Sequence, residues 1–356
     1  MEDARRHYLD LIRHDGVRLS PALAKAFGAV PREVFVPDGF HRRDGRLVLP
    51  ADPEFLRAVY SNDVLVTKLR GQKPISSSSQ PSLMAVMIEA LDVRPGQRIL
   101  EIGAGTGYNA ALLATLGAEV TTVDVQDDVA DRARAALARA GITGVRVETG
   151  DGYTGGPDGR YDRIIVTVGV AGISPHWMNR LPRDGRIVAP VEHAGMHPVL
   201  TAGAAGELSV VCPAGFMSAA GPLGARHPGS HPPPPDSPLT GLEPVVPPRW
   251  GAPLEAMAYR DLWFAAGAWH RQVTYATVPG REQSLLAVLA SSSSSAAAVV
   301  LPDGAILASS EHACEVALAL SDRWWTHGRP PMSAWRAALE PAGPLLVPRT
   351  WRLHRP

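Results

Sequence analysis

Residues 98 to 108 read RILEIGAGTGY. A short apolar run meets glycine at every second position, Gly103, Gly105 and Gly107, so a strand should deliver the chain to a turn with no side chains in a ligand's way. A dinucleotide fingerprint needs its third glycine one place later, where Tyr108 stands, which argues against a bound pyrophosphate. The turn offers instead its backbone N–H groups and the start of the next helix, suited to a carboxylate or a sugar.

The same alternation continues outward. Short apolar runs and helical patterns follow one another from Arg98 to about Val211, the pattern of a parallel sheet with crossover helices. The strands are RILEI, EVTTVDV, VRVETGD, YDRIIVTVGV and RIVAPV; the helices are NAALLATLG, DDVADRARAALARAG and SPHWMNRL. In the second helix Asp127, Asp128 and Asp131 sit near the positive end and Gly141 stands as a C-cap. PVLTAGA and LSVVCPA fit an antiparallel hairpin closing the sheet edge. The second strand ends in Val123–Asp124, and an acid there can accept hydrogen bonds from both hydroxyls of a ribose. The third ends in GDG at 150 to 152, where Asp151 can accept the exocyclic amine of an adenine. Together these describe a nucleoside cradle.

Composition sets wider bounds. The chain has 356 residues, enough for two or three domains and a sizeable core, with 35 basic residues against 35 acidic ones. Such balance gives no overall field to attract nucleic acid or an anionic membrane. The two cysteines, Cys212 and Cys314, lack metal-ligand spacing and suit a reducing cytoplasm. The N-terminus MEDARRHYLDLIRHDG has no apolar core, and no run approaches a membrane span, so neither a signal peptide nor an inserted segment is expected. Glu192, His193 and His197 lie close together in VEHAGMHP but on a strand end and turn, unlike a helical HExxH zinc site, so no metal is expected.

The regions expected are a helical and substrate-loop prelude over 1–96, a ligand-binding sheet over 97–220, a proline- and glycine-rich linker over 221–249 and a small α+β domain over 250–356. That last region holds seven of the eight tryptophans, a hairpin around Asp303–Gly304 in AVVLPDGAILAS, and a helix in EHACEVALALSDRWWTHG. The serines at 291 to 295 read as a flexible connection. Trp324 and Trp325 with Arg323 fit either a peptide-binding face or a core.

The cradle, glycine turn then acid then Asp, resembles that of class I S-adenosyl-L-methionine-dependent methyltransferases, which implies a doubly wound, Rossmann-like α/β fold. The motifs VPREVFVP at 30–37, GQ at 71–72, SQP at 79–81, ILEIGAGTGY at 99–108, GDG at 150–152, YDRIIVT at 161–167 and LPRDGRIVAPV at 181–191 resemble the protein-L-isoaspartate O-methyltransferase family. The resemblance implies an S-adenosyl-L-methionine site made by Glu101, the turn residues Gly103, Ala104, Gly105, Thr106, Gly107 and Tyr108, then Asp124 with Val125, and Asp151 with Gly152. It also implies a Ser-x-Pro loop that brings a serine hydroxyl to the acceptor carboxylate. By motif position that serine is Ser79, with Ser78 beside it, and Ser76, Ser77 and Gln80 extend the contact.

Two features depart from the family pattern. Ser82, Leu83 and Met84 stand where a histidine usually follows the proline, and the loop PISSSSQP carries three extra serines. The serine loop and the C-terminal region resemble those of relatives found with ribosomally made peptides such as lanthipeptides, which methylate an aspartate so that it closes to an aspartimide or becomes isoaspartate. The expected partner is thus a peptide or protein bearing Asp or isoAsp, and the expected location cytoplasmic. General isoaspartyl repair, a non-catalytic peptide-binding module with a decayed nucleoside site, and a nicotinamide dehydrogenase are the alternatives.

Overall fold

The run RILEI forms the strand Arg98–Ile102 of a nine-stranded sheet in a computed structural model that describes residues 2–157, 159–291 and 296–354. Across the sheet the strands run Leu345–Leu353, Trp335–Ala342, Glu207–Cys212, Val199–Gly203, Arg186–Pro190, Arg163–Val166, Arg98–Ile102, Glu119–Asp124 and Val145–Thr149. The last five pair in parallel and the others join antiparallel. Side chains alternate across this sheet and bury on both faces, as parallel strands require. Ile99, Ile165 and Val188 enter one core cluster, while Leu100, Ile164, Val166 and Ile187 enter the other.

The helices Glu2–His14, Pro21–Ala29 and Pro81–Leu91 share the first cluster, through Tyr8, Phe27 and Ile88 among others. The prelude is not only helical. It also holds a four-stranded antiparallel sheet in the order Leu47–Val48, Phe40–His41, Leu65–Arg70 and Lys73–Ser78. The serine run expected as a loop is therefore largely strand: Ser77 pairs with Val66 and Ser78 with Leu65, and only Ser79 and Gln80 lead out of it into the helix that begins at Pro81. A serine repeat has no apolar alternation to announce a strand, and here its partner supplies the apolar residues.

The second cluster crosses the expected linker. Leu223 and Leu239 are buried, and Glu243–Val246 pairs with Ile306–Ala308 at the edge of a five-stranded antiparallel sheet, completed by Ala297–Val300, Leu285–Leu289 and Val273–Ala276. The hairpin around Asp303–Gly304 is present, with Gly304 at φ 84°. Of the connection at 291 to 295, residues 292 to 295 lie outside the described residues. The helices Ala256–Trp269 and Glu311–Thr326 pack on this sheet.

A separate domain over 250–356 is not what the pairing gives. The terminal hairpin Trp335–Leu353 leaves the smaller sheet and extends the large one, Ser209 pairing with Arg336 and Glu207 with Ala338. The physical reason is edge pairing: Glu207–Cys212 would otherwise present unpaired N–H and C=O groups. Trp324 is buried, whereas Trp325 is 42% exposed and stacks on Trp250. No helix among the described residues is long and apolar enough to cross a membrane.

Candidate active site

The glycine turn leaves Arg98–Ile102 at the carboxyl end of the sheet, where the strand order reverses, the usual place for a ligand in an open α/β sheet. Gly103 has φ 98° and Gly105 φ 52°, left-handed values that disfavour a side chain. Space enforces the same choice. A Cβ on Gly103 would lie 2.7 Å from Thr167 Oγ1, and one on Gly105 would lie 3.0 Å from the Ser77 carbonyl oxygen. The serine strand thus lies directly over the turn.

Asp124 is tied to that turn by its carboxylate. Oδ2 accepts from Gly105 N at 3.1 Å and Oδ1 from Gln126 N at 3.0 Å. Burial pushes the carboxyl up, while these N–H groups and Lys68 oppose the rise. Each oxygen keeps a lone pair free for a further donor. Val125 beside it is 57% exposed and offers a bare apolar side chain at the rim.

Glu101 is fully buried, with Oε1 accepting from Asn109 Nδ2 at 2.6 Å and Oε2 lacking a well-formed partner. Burial pushes its carboxyl up to about 7, against the pull of Thr122 and Asn109. A buried acid with a spare oxygen, behind a turn too tight for side chains, fits a ligand that brings a positive charge. S-adenosyl-L-methionine carries such charges, and its ribose matches the spare capacity of Asp124. The residues present fit the group.

Asp151 is exposed, and its Oδ1 accepts from Tyr153 N at 2.9 Å, so one oxygen serves the turn. Gly152 is packed on the end of the first strand, where a Cβ would come within 2.6 Å of Ile102 Cγ2. Ala104 and Thr106 lie within the turn and are buried. Tyr108 closes the turn with its backbone and sends its side chain the other way. Its ring is buried against Phe27 and Phe35, and its hydroxyl lies 3.3 Å from that of Tyr8, so it anchors the N-terminal helices to the turn.

Within the serine strand, Ser76 and Ser78 are buried and the Ser78 hydroxyl has no partner, which in a buried site is costly unless a ligand supplies one. Ser79 is half-buried just past the strand end, and its carbonyl accepts from Arg32. Gln80 donates to Ser82 Oγ at 3.0 Å, bracing the helix start.

Three residues of the site had no role in the sequence reading. Arg32 is wholly buried and donates to the carbonyls of Val59, Ser61, Asp63 and Ser79, with Tyr8 and Tyr108 beneath its guanidinium. An arginine inside the apolar VPREVFVP was the available signal. Lys68 donates to Gln126 Oε1 at 2.9 Å and to Asp128 at 2.6 Å, and Gln126 Nε2 reaches the Ile75 carbonyl at 3.2 Å. This latch joins the serine hairpin to the acid of the cradle, and nothing in the spacing announces it. Among the described residues no group of three or more His, Cys, Asp or Glu side chains could hold a metal ion.

A family model described as protein-L-isoaspartate(D-aspartate) O-methyltransferase matches residues 3–207. The protein-L-isoaspartate O-methyltransferase of Methanoculleus marisnigri is 41% identical over 181 residues, 51% of this chain and 73% of that one. That of Methylorubrum populi is 37% identical over 189 residues, 52% of this chain and 77% of that one. A solved structure titled protein-L-isoaspartate O-methyltransferase aligns with a TM-score of 0.55 at 24% identity, covering 98% of both chains, a likeness of fold.

Proposed function

Since the chain belongs to the protein-L-isoaspartate O-methyltransferase family, whose members are S-adenosylmethionine-dependent enzymes, we propose that it methylates a side-chain carboxylate of an aspartyl or isoaspartyl residue in a polypeptide. The observation that supports this reading is the Ser77 carbonyl oxygen lying 3.0 Å from where a Cβ on Gly105 would come, which puts the serine strand over the cradle.

In this reading Asp124 holds the ribose, Glu101 faces the ammonium side, and Val125 and Asp151 flank the adenine. Bound there, the cofactor supplies a methyl group already activated on a sulfonium. A carboxylate is a competent nucleophile at neutral pH, so the protein needs no general base. Its work is positioning and exclusion of water. The Ser78 and Ser79 hydroxyls donate to the acceptor carboxylate without adding charge, which orients one oxygen and leaves it reactive. Arg32 and the Lys68–Gln126 latch hold the strand that carries them.

The finer reading is a tailoring enzyme that esterifies an aspartate of a ribosomally made peptide, the next residue's backbone nitrogen then attacking the ester carbonyl and expelling methanol to give an aspartimide. The four consecutive serines favour it, because they supply hydroxyls beyond the single Ser-x-Pro contact. The C-terminal region does not discriminate, since the solved structure spanning 98% of the chain carries the ordinary family title. Incubation with matched aspartyl and isoaspartyl peptides, read by mass spectrometry, separates the two: repair requires the isoaspartyl peptide alone to react, and tailoring requires the aspartyl one.

A further inference from the structure

A cavity of about 860 Å³ opens beside the cradle, between the methyltransferase sheet and the region after residue 220. Its near end is Gly169, two residues beyond Thr167, whose hydroxyl donates to the Gly103 carbonyl at 2.7 Å. From there it runs past Glu192 and His197, under Arg226 and His231, to Arg260 and Trp263.

Charge distinguishes this cavity from the balanced chain around it. Glu192 is its one acidic side chain among the described residues, set against Arg226 and Arg260. Burial pushes the Glu192 carboxyl up to about 7, against the pull of Gly195 N–H and Arg226, and even fully ionised it leaves the two arginines in excess. The histidines add none, since burial holds His197 down to about 4 and His231 to about 3.

Neither guanidinium forms a salt bridge among the described residues, although the Arg226 charge acts through space on the Glu192 carboxyl. Arg226 donates to the His231 carbonyl at 2.8 Å, and Arg260 donates to the Met196 sulfur at 3.7 Å. Both arginines are exposed, so the charge faces solvent and any ligand entering from it. The His197 ring fills the wall against Gly169, where a Cβ would come within 2.7 Å of it, at the end of the cavity nearer the cradle in sequence.

We propose that this cavity binds a carboxylate-bearing segment of the substrate polypeptide next to its acceptor residue, with Arg226 and Arg260 receiving acidic side chains. The inference rests on the proposed methylation only for the presence of a polypeptide in the cradle. Guanidiniums pair with carboxylates in a fixed two-pronged geometry, and a volume of this size accepts a few side chains and no folded domain. Trp263 and Tyr275 supply apolar wall between the charged ends.

Two peptides test this, identical except that glutamates or lysines flank one acceptor residue. Their binding is measured calorimetrically with S-adenosylhomocysteine present and asparagine in place of the acceptor, so that no transfer is needed for the readout. The glutamate peptide should bind at least tenfold more tightly. Arg226→Glu with Arg260→Glu should abolish or reverse that preference, and Arg260→Gln should weaken it. In turnover with the reactive peptides, the same loss should fall on KM. Equal affinity of the wild type for both peptides overturns the proposal, as does a preference that survives the double variant, or inorganic phosphate displacing the glutamate peptide at equal concentration. Charge-selective binding with no methyl transfer to either reactive peptide would leave this site standing and remove the proposed function instead.

Discussion

Arg32 Nη2 donates to the carbonyl of Ser79 at 3.0 Å, so a wholly buried arginine fixes the backbone of the residue that opens the Ser-x-Pro segment. The same guanidinium holds the carbonyls of Val59, Ser61 and Asp63, and planar geometry lets one side chain reach all four. Arg32→Lys keeps the charge but replaces the fork with a point, which cannot span them. We expect a destabilisation of about 3 kcal/mol from unsatisfied carbonyls, and a fall in kcat/KM larger than any loss of affinity for S-adenosylhomocysteine. Thermal denaturation and calorimetry of the variant check both halves.

Serine position supplies the second expectation. Losing one neutral hydrogen bond costs roughly 0.5–1.5 kcal/mol, and misorienting the nucleophile adds to it, so Ser79→Ala should lower methyl transfer at least tenfold with cofactor affinity intact. Ser78→Ala should also slow transfer, because its buried hydroxyl has no protein partner to lose. Ser76→Ala is the control on the same strand. Equal, mild effects at all three positions would mean that the run is only a polar strand.

For the cradle, Asp124→Ala removes the acceptor of Gly105 N and Gln126 N as well as the contact expected for the ribose. Charge-assisted hydrogen bonds are worth about 1.5–3 kcal/mol each, so affinity for S-adenosylhomocysteine should fall tenfold or more. An unchanged dissociation constant in a folded variant would refute the assignment.

Glu101 gives a pH dependence with a definite sign. Its folded value of about 7 lies above the ordinary value of 4.5, so its neutral form contributes stability that is complete below about 4.5 and lost as pH rises through 7. Binding runs the other way, because a cationic ligand prefers the ionised acid. Between pH 6 and pH 8 affinity for S-adenosylhomocysteine should rise by about tenfold, the change in ionised fraction, and Glu101→Gln should flatten the profile. A wild-type profile as flat as the variant's would place the ammonium elsewhere.

Truncation tests the architecture. Ending the chain before Trp250 removes the hairpin that covers Glu207–Cys212, together with Phe264, Trp335 and Val347 from the shared core cluster. The exposed strand edge and apolar face should give an aggregating or unfolded product. A monomeric truncated chain with an undiminished melting temperature would show two independent domains after all.

The parts of this fold legible in the sequence are those set by local rules. The turn after RILEI, the acid at Asp124 and the crossover helices each follow from period, glycine and charge within a few residues. Long-range pairing left no such trace. The return of Trp335–Leu353 to the large sheet depends on an open edge more than a hundred residues earlier, and the serine strand depends on the partner Leu65–Arg70. The Lys68–Gln126 latch likewise joins residues 58 positions apart. The place of Tyr108 in the motif likewise says nothing of which way its ring points.

The central claim is carboxyl methyl transfer in a cradle covered by the serine strand. Its most direct measurement is mass spectrometry of aspartyl and isoaspartyl peptides incubated with the full chain and cofactor labelled in the methyl group. The account requires one labelled, base-labile methyl per reacting peptide, located on the acceptor side chain and strongly reduced with Ser79→Ala. Tight binding of S-adenosylhomocysteine with no label on either peptide, or label on a nitrogen, would contradict it.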